Sequence, residues 1–470
     1  MVRHRREDLS NEYLGAEFGD GRLTRRLVDL AAMVGRDPGA SFPVAAETDA
    51  DLEGTYRFLS NDRVTPGKIL APHLRATLGR MAGCEVVVAH DTTEFNFGDS
   101  AREDLGRVGQ GKSHGFYGHF ALAIDRGKRD PLGVLGIEVH ERHGGKGRRG
   151  HEALQTAEDN ESKRWKVLVE RVETLLGKSV ALHVMDREGD SYALLAALVE
   201  MAARFVVRMA SDKRLLAGKP TTKIGAVLAQ QPIIAEREVA ITARGRSKMP
   251  AYRKHFPERN ARLAQLHMTA TQVVVLRPDS SSHSPAKTLT LNAVKVFEPN
   301  PPEGEPAVEW RLWTTEPIDN AEQVLAVVDA YRCRWIIEEY FKALKTGCAI
   351  ERRQLESSHG LQNTLAVFVP IAWRLLRLRS LSRRDEAIPA SEVLTSAMIA
   401  CLRSALRKRG KPLPPKPTVQ HALLGVAALG GHIKNNGDPG WIVIGRGFDK
   451  LLALVEGYET AREDRRSDQS

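Results

Sequence analysis

Tyr331, Arg334, Glu338 and Lys345 are the residues of this 470-residue chain whose types and spacing most suggest chemistry. On one continuous helix, at about 100° per residue, they share an arc of roughly 60°. A carboxylate on one face with two cations and a phenol is more than solvation requires. It suits a site that holds a metal ion and grips phosphates.

Two further carboxylates have the right setting. Glu85 to His90 reads as a short buried strand ending at Asp91, and Val180 to Met185 as another ending at Asp186. Side chains at the ends of adjacent strands in a mixed sheet can converge, and Glu338 from a helix on that sheet could complete a trio. Three carboxylates repel one another unless a cation lies between them, and hard oxygen donors suit Mg²⁺ or Mn²⁺. Two such ions can activate a water or a 3′-hydroxyl and stabilise the leaving oxygen of a phosphodiester. The plain alternatives are a turn or cap for each aspartate and a surface pair for Glu338. Their coincidence with phosphate-gripping groups favours the site.

The elements that must position these groups are readable. Residues 1–70 look helical: Arg22 to Val34 spaces Leu23, Leu27, Leu30 and Ala31 as a helix, and a second runs from Asp49 to Leu59. Strands are expected over Phe116–Ile124, Leu132–Val139 and Phe205–Arg208, with helices over Glu161–Leu176 and Ser191–Met201. Residues 212–305 alternate strand-like runs with Pro, Ser and Lys turns, a β-rich insertion. Trp310–Thr314 then reads as a strand and Ala321–Lys345 as one helix. A helix over Asn363–Leu378 is expected to break or kink at Pro370. These elements divide the chain into a helical N-terminal domain (1–70), a mixed α/β part with the β-rich insertion (71–375) and a mainly helical C-terminal domain (376–470).

The net charge of +10 suggests a polyanionic partner. The four cysteines form no C-x-x-C pair, the first residues are charged, and no run of 18 apolar residues occurs. A reduced, cytosolic protein with no membrane partner is the expectation.

Gly106 to Ser113 matches the phosphate-loop pattern G-x-x-x-x-G-K-S, so a P-loop ATPase is a rival. That loop needs a strand before it and a helix after it, and the flanking residues are polar and glycine-broken instead. A basic hairpin loop near DNA better accounts for Lys112. His140-Glu141-Arg142-His143 lacks the spacing of a metal motif. Arg142, Lys146, Arg148 and Arg149 form a glycine-rich basic loop over residues 141–150.

The order Asp91, Asp186, Glu338, with Y-(2)-R-(3)-E-(6)-K around the last, resembles the DDE transposases of the IS-four group, the Tn-five-like type. His90-Asp91-Thr92-Thr93, Met185-Asp186-Arg187-Glu188 and Lys345-Thr346-Gly347 are similar too, as are Phe18 to Leu23, Tyr56-Arg57-Phe58 and the stretch from Gly440-Trp441 onward. The resemblance implies an α/β fold: an RNase H-like core, a mixed sheet with flanking helices, interrupted by a β-rich insertion. It implies an N-terminal domain that recognises transposon ends and a C-terminal dimerisation domain. It implies Asp91, Asp186 and Glu338 as ligands of two Mg²⁺ ions, with Mn²⁺ able to substitute. Tyr331, Arg334 and Lys345 would hold phosphates, with Lys342 as a helper. Trp310 would stack on a flipped base, and Arg208 would contact DNA.

The resulting expectation is cut-and-paste transposition on double-stranded DNA. Metal-dependent hydrolysis at the ends, a hairpin intermediate and strand transfer of the 3′-OH would be carried out by a synaptic homodimer in the bacterial cytoplasm, at the nucleoid. A catalytically silent, transposase-derived regulator is the alternative, beside the P-loop ATPase.

Overall fold

The computed structural model describes residues 9–36, 38–99, 102–109, 113–142, 163–177, 180–246, 257–281, 284–384, 387–433 and 438–467. Helices α1 (Gly21–Arg36), α2 (Phe42–Ala45), α3 (Asp49–Leu59) and α4 (Pro66–Met81) come first. Strands β1 (Val86–Asn96), β2 (Gly106–Val108), β3 (Ser113–Asp125) and β4 (Pro131–His140) follow. Next are α5 (Lys163–Leu176), β5 (Leu182–Met185), α6 (Tyr192–Glu200) and β6 (Arg204–Arg208). The insertion supplies β7 (Leu215–Leu216), β8 (Lys219–Lys223), α7 (Ile224–Ala229), β9 (Ala235–Ile241), β10 (Arg262–Leu276) and β11 (Thr288–Phe297). Then come β12 (Glu309–Thr314), α8 (Ala321–Arg332), α9 (Trp335–Lys342), α10 (Ser358–Ser382), α11 (Ser396–Lys408), α12 (Val419–Leu429) and α13 (Trp441–Ser467). The class is mixed α/β, with a large mixed sheet, flanking helices and helical ends.

The chain divides into two compact units. One holds residues 86–91 and 148–334; the other holds residues 1–85, 92–147 and 335–470. In the first, β1 pairs parallel with β5 and β5 parallel with β6, as expected of apolar runs buried on both faces. β12 joins β6 antiparallel, and β11 and β10 extend it. The insertion is not a separate texture. Val273, Val275, Leu289 and Leu291 from its strands share one core with Trp165, Tyr192, Phe205 and Trp313.

In the other unit β3 pairs antiparallel with β2 and β4. The N-terminal helices bury Leu27, Leu30, Ala31 and Phe58, and their ends are tied to α10. Tyr13 donates to the Val367 carbonyl at 2.5 Å, and the Asn363 amide donates to Leu59 and Val64 at 2.9 and 3.1 Å. At the other end, α12 and α13 cross at backbone distance. A Cβ on Gly447 would lie 1.8 Å from the Val426 carbonyl oxygen, and one on Gly430 1.9 Å from that of Val443.

Three expectations are corrected. β1 does not end at His90 but runs on to Asn96, because its polar continuation stays paired in the sheet, so Asp91 lies within the strand and not at its end. α10 runs unbroken from Ser358 to Ser382 through Pro370. Its apolar residues are buried nearly all round, so tertiary packing outweighs the one missing amide. The expected single helix over Ala321–Lys345 is interrupted: α8 ends at Arg332, Cys333 and Arg334 form a turn, and α9 begins at Trp335. A π-helical turn, Ala343–Gly347, then follows. The arc computed for a uniform helix therefore does not hold.

Candidate nucleic-acid site

The first unit brings two of the aspartates together by register. Val88 lies opposite His183 and His90 opposite Met185, so Asp91 is level with Asp186, one step past the last strand pair. Asp186 keeps extended dihedrals (φ −82°, ψ −164°), and its Oδ1 accepts from the Glu188 amide at 2.9 Å, capping a short 3-10 turn. The capping role considered above is thus real, but it uses one oxygen and leaves the other lone pairs for a further partner.

Arg334 sits elsewhere than a phosphate-gripping surface residue would. Its guanidinium donates to Asp91 Oδ2 at 2.8 Å, and the two side chains are only 5% and 15% exposed. The 3-10-type bond from the Arg334 amide to the Tyr331 carbonyl (3.0 Å) accompanies the turn that carries it there. Tyr331 is buried beside half-buried Trp310, ring centroids 5.9 Å apart and edge to face. Its hydroxyl has no hydrogen-bond partner among the described residues. Partial burial, and then the like charge of Arg208, push the Arg187 guanidinium below its ordinary value, while Tyr331 and Asp186 oppose the shift. Arg187 and Arg208 repel each other in a place where an anion would reconcile them. Sequence reasoning named Arg208 but missed Arg187, which stood in plain view beside Asp186.

Glu338 lies in the other unit, half-buried on α9. On the same helix Lys342 pairs with Glu339 at 2.7 Å. Lys345, in the π-helical turn, pairs with Glu351 at 3.3 Å and lies over the Phe95 ring at 5.5 Å. Glu351 also accepts from the Asn96 amide at 3.0 Å. Both lysines thus carry carboxylate partners that a phosphate would have to displace.

Within neither unit, among the described residues, do three His, Cys, Asp or Glu side chains gather as a metal cage. The donors nonetheless fit a hard divalent cation. Mg²⁺ is commonly held by one or two carboxylates plus waters and substrate phosphates, and Asp91, midway along β1, and Asp186, just past β5, are such a pair on adjacent strands. The Arg334 guanidinium stands in for a cation at Asp91.

The P-loop expectation fails on topology. β2 and β3 flank the Gly106–Ser113 segment as antiparallel strands, with Gly106 opposite Gly115, so no helix follows to meet a phosphate. Lys112, His143, Lys146, Arg148 and Arg149 lie outside the described residues. Glu141 is engaged with Gln362 at 3.1 Å, and Arg142 lies over the Tyr117 ring at 4.9 Å.

Residues 6–64 match the family model of the transposase DNA-binding domain, and residues 151–368 match that of the transposase DDE domain. The second match takes in Asp186, Arg208, Trp310, Tyr331, Arg334, Glu338, Lys342 and Lys345; Asp91 precedes it. The chain is also similar to a solved piggyBac transposase synaptic complex with hairpin DNA. That likeness has 11% identity, covers 84% of this chain and 73% of that one, and has a TM-score of 0.37. DDE domains work with divalent metal ions. The chain thus carries a transposase DNA-binding domain over residues 6–64 and a transposase DDE domain, that of a nuclease and strand transferase, over residues 151–368.

Proposed function

We propose that this transposase works by cut and paste in the manner of the IS-four group, with Asp91, Asp186 and Glu338 as its triad. The observation that carries the reading is the β1–β5 register, which sets Asp91 level with Asp186 with a guanidinium lying where a cation belongs. Two Mg²⁺ ions, for which Mn²⁺ substitutes, supply Lewis acidity and a lowered pKa for water or a 3′-hydroxyl when bound. Asp91, Asp186 and Glu338 would hold them.

The remaining work falls to cations and rings. Arg208 and the Tyr331 hydroxyl receive a backbone phosphate. Arg334 exchanges Asp91 for phosphate when DNA arrives, and Lys342 and Lys345 exchange Glu339 and Glu351. Each exchange substitutes one charge-assisted hydrogen bond for another. Trp310 offers a half-exposed ring on which an unpaired base stacks, offsetting part of the unstacking cost. Residues 1–70 read the transposon ends, residues 71–375 cut and join, and residues 376–470 dimerise, so that a homodimer synapses two ends. Hydrolysis frees a 3′-OH, which forms a hairpin at the element's end and, after its opening, attacks target DNA. The setting is the bacterial nucleoid.

The test is cleavage of a fragment carrying the element's own terminal sequence, with Mg²⁺, by wild type and Glu338→Ala. Wild type should release a 3′-OH, and Glu338→Ala should bind the ends without cutting. Equal cutting by both would remove Glu338 from the site. Binding without cutting by both would make the chain a regulator of transposition.

A further inference from the structure

The first half of β1, Val86-Val87-Val88-Ala89-His90, and the whole of β5, Leu182-His183-Val184-Met185, are apolar except for one histidine each. Both histidines are fully buried, with His90 Nε2 2.8 Å from His183 Nδ1. His183 Nε2 lies 2.9 Å from Oε1 of Glu173, a 6%-exposed residue of α5. The carboxylate accepts from His183 Nε2–H, which leaves Nδ1 as a lone pair, and that in turn accepts from His90 Nε2–H. Glu173, His183 and His90 thus form one directed line from α5 across β5 to β1. It belongs to no part of the chemistry derived so far.

Its place explains its use. Strands buried on both faces read as near-continuous apolar runs, so their apolar pattern specifies register weakly. A slip of two residues would keep every side chain on its own face. It would also move Asp91 by about 6 to 7 Å relative to Asp186. A buried polar pair forbids the slip, because a shifted His90 and His183 would lose each other inside the core. Side chains alternate, so the histidines occupy the face toward α5 while Asp91 and Asp186 emerge on the opposite one.

We propose that Glu173, His183 and His90 are positioning residues: a register lock that holds Asp91 level with Asp186 and so sets the spacing of the metal ligands. The inference rests on the reading of those aspartates as ligands. Outer-shell partners of this kind typically matter by about 10- to 100-fold in metal affinity.

The experiment measures Mn²⁺ binding to the full-length, DNA-free chain by calorimetry and electron paramagnetic resonance, beside end cleavage. The triple variant Glu173→Leu/His183→Leu/His90→Phe replaces the whole line by apolar groups, so that its members leave none of one another unpaired. It should melt near wild type, bind Mn²⁺ at least about tenfold more weakly, and lose kcat by a similar factor with KM for end DNA unchanged. Glu173→Gln, whose side-chain oxygen still accepts from His183, should restore most of the Mn²⁺ affinity that Glu173→Leu loses. A folded triple variant with wild-type Mn²⁺ affinity overturns the lock. If the triple variant does not fold, equal Mn²⁺ affinity of Glu173→Leu and wild type overturns it. Asp91→Asn separates the two readings. If it loses Mn²⁺ while the triple variant keeps it, the lock alone is wrong. If Asp91→Asn binds Mn²⁺ as wild type does, the metal site itself is misassigned and the lock falls with it.

Discussion

Replacing Arg334 by alanine should make the DNA-free transposase bind metal more tightly. The Arg334–Asp91 pair is 2.8 Å long and almost wholly withdrawn from water. Two unit charges about 4 Å apart attract by about 4 kcal/mol at an effective dielectric of 20. An ion that ligates Asp91 must first overcome that attraction. If only a third of it survives desolvation and rearrangement, about 1.4 kcal/mol remains, a factor of ten in affinity. Arg334→Ala should therefore bind Mn²⁺ at least about tenfold more tightly by calorimetry. It should also be less stable without metal by about 3 kcal/mol, since a buried carboxylate loses its cation. Saturating Mn²⁺ should then raise its melting temperature by a few degrees more than it raises that of wild type. End DNA offers a second arm. Phosphate that takes the guanidinium frees Asp91, so end DNA should tighten Mn²⁺ binding to wild type but not to Arg334→Ala, and metal should tighten DNA binding reciprocally. Equal or weaker Mn²⁺ binding by Arg334→Ala would refute the competition.

Trp310→Ala should leave end binding and melting nearly unchanged, since the ring is half-exposed, while hairpin formation falls; gel analysis of end products decides. Glu12 is buried against His73 and accepts from Arg80 at 2.7 Å. Burial alone would raise its carboxyl, but His73 and Arg80 outweigh that and hold it below 4.5, while burial holds His73 below 6.5. The unfolded chain therefore takes up these protons first. Stability should fall as pH drops below about 6.5, and further below about 4.5. Glu12→Gln should cost about 3 kcal/mol at neutral pH and flatten the lower acid limb, measured as melting temperature against pH. Gly447→Ala, whose methyl would meet the Val426 carbonyl, should destabilise the α12–α13 crossing by about 1 to 3 kcal/mol in denaturant titration.

Strands that are apolar and end in turn residues were the legible part of the fold. β5, β6, β11 and β12 lie within a few residues of the expected runs, because a dense apolar run survives its tertiary context, and β10 begins five residues early; β1 runs six residues past the expected end, through Asp91-Thr92-Thr93-Glu94, whose polar residues gave no strand signal. The turn at Cys333–Arg334 was not legible, since Tyr331, Ile337 and Tyr340 keep helical burial on both sides of it. The turn carries Arg334 to the distant Asp91, and no local pattern carries that contact. Pro370 misled for the opposite reason: a local rule was overruled by burial on nearly all sides. His90, His183 and Glu173 left a faint signal. Each histidine is the one polar residue in its apolar run, and each run ends toward an aspartate. The pairing of Lys345 with Glu351, six residues on, was within reach of the sequence and was masked by the stronger signature around Glu338.

The bond from Tyr13 to Val367 spans 354 residues, and Asn363 reaches back as far as Leu59. On the ribosome the DNA-binding segment is therefore made long before the helix it packs on. At roughly 5 to 20 residues per second the wait is about 20 to 70 s. Until then Tyr13 and the α3 end lack these partners, so a nascent chain carries the DNA-binding segment without the helix it packs on. That packing is completed only once synthesis has passed α10, after every residue of the candidate triad has been translated.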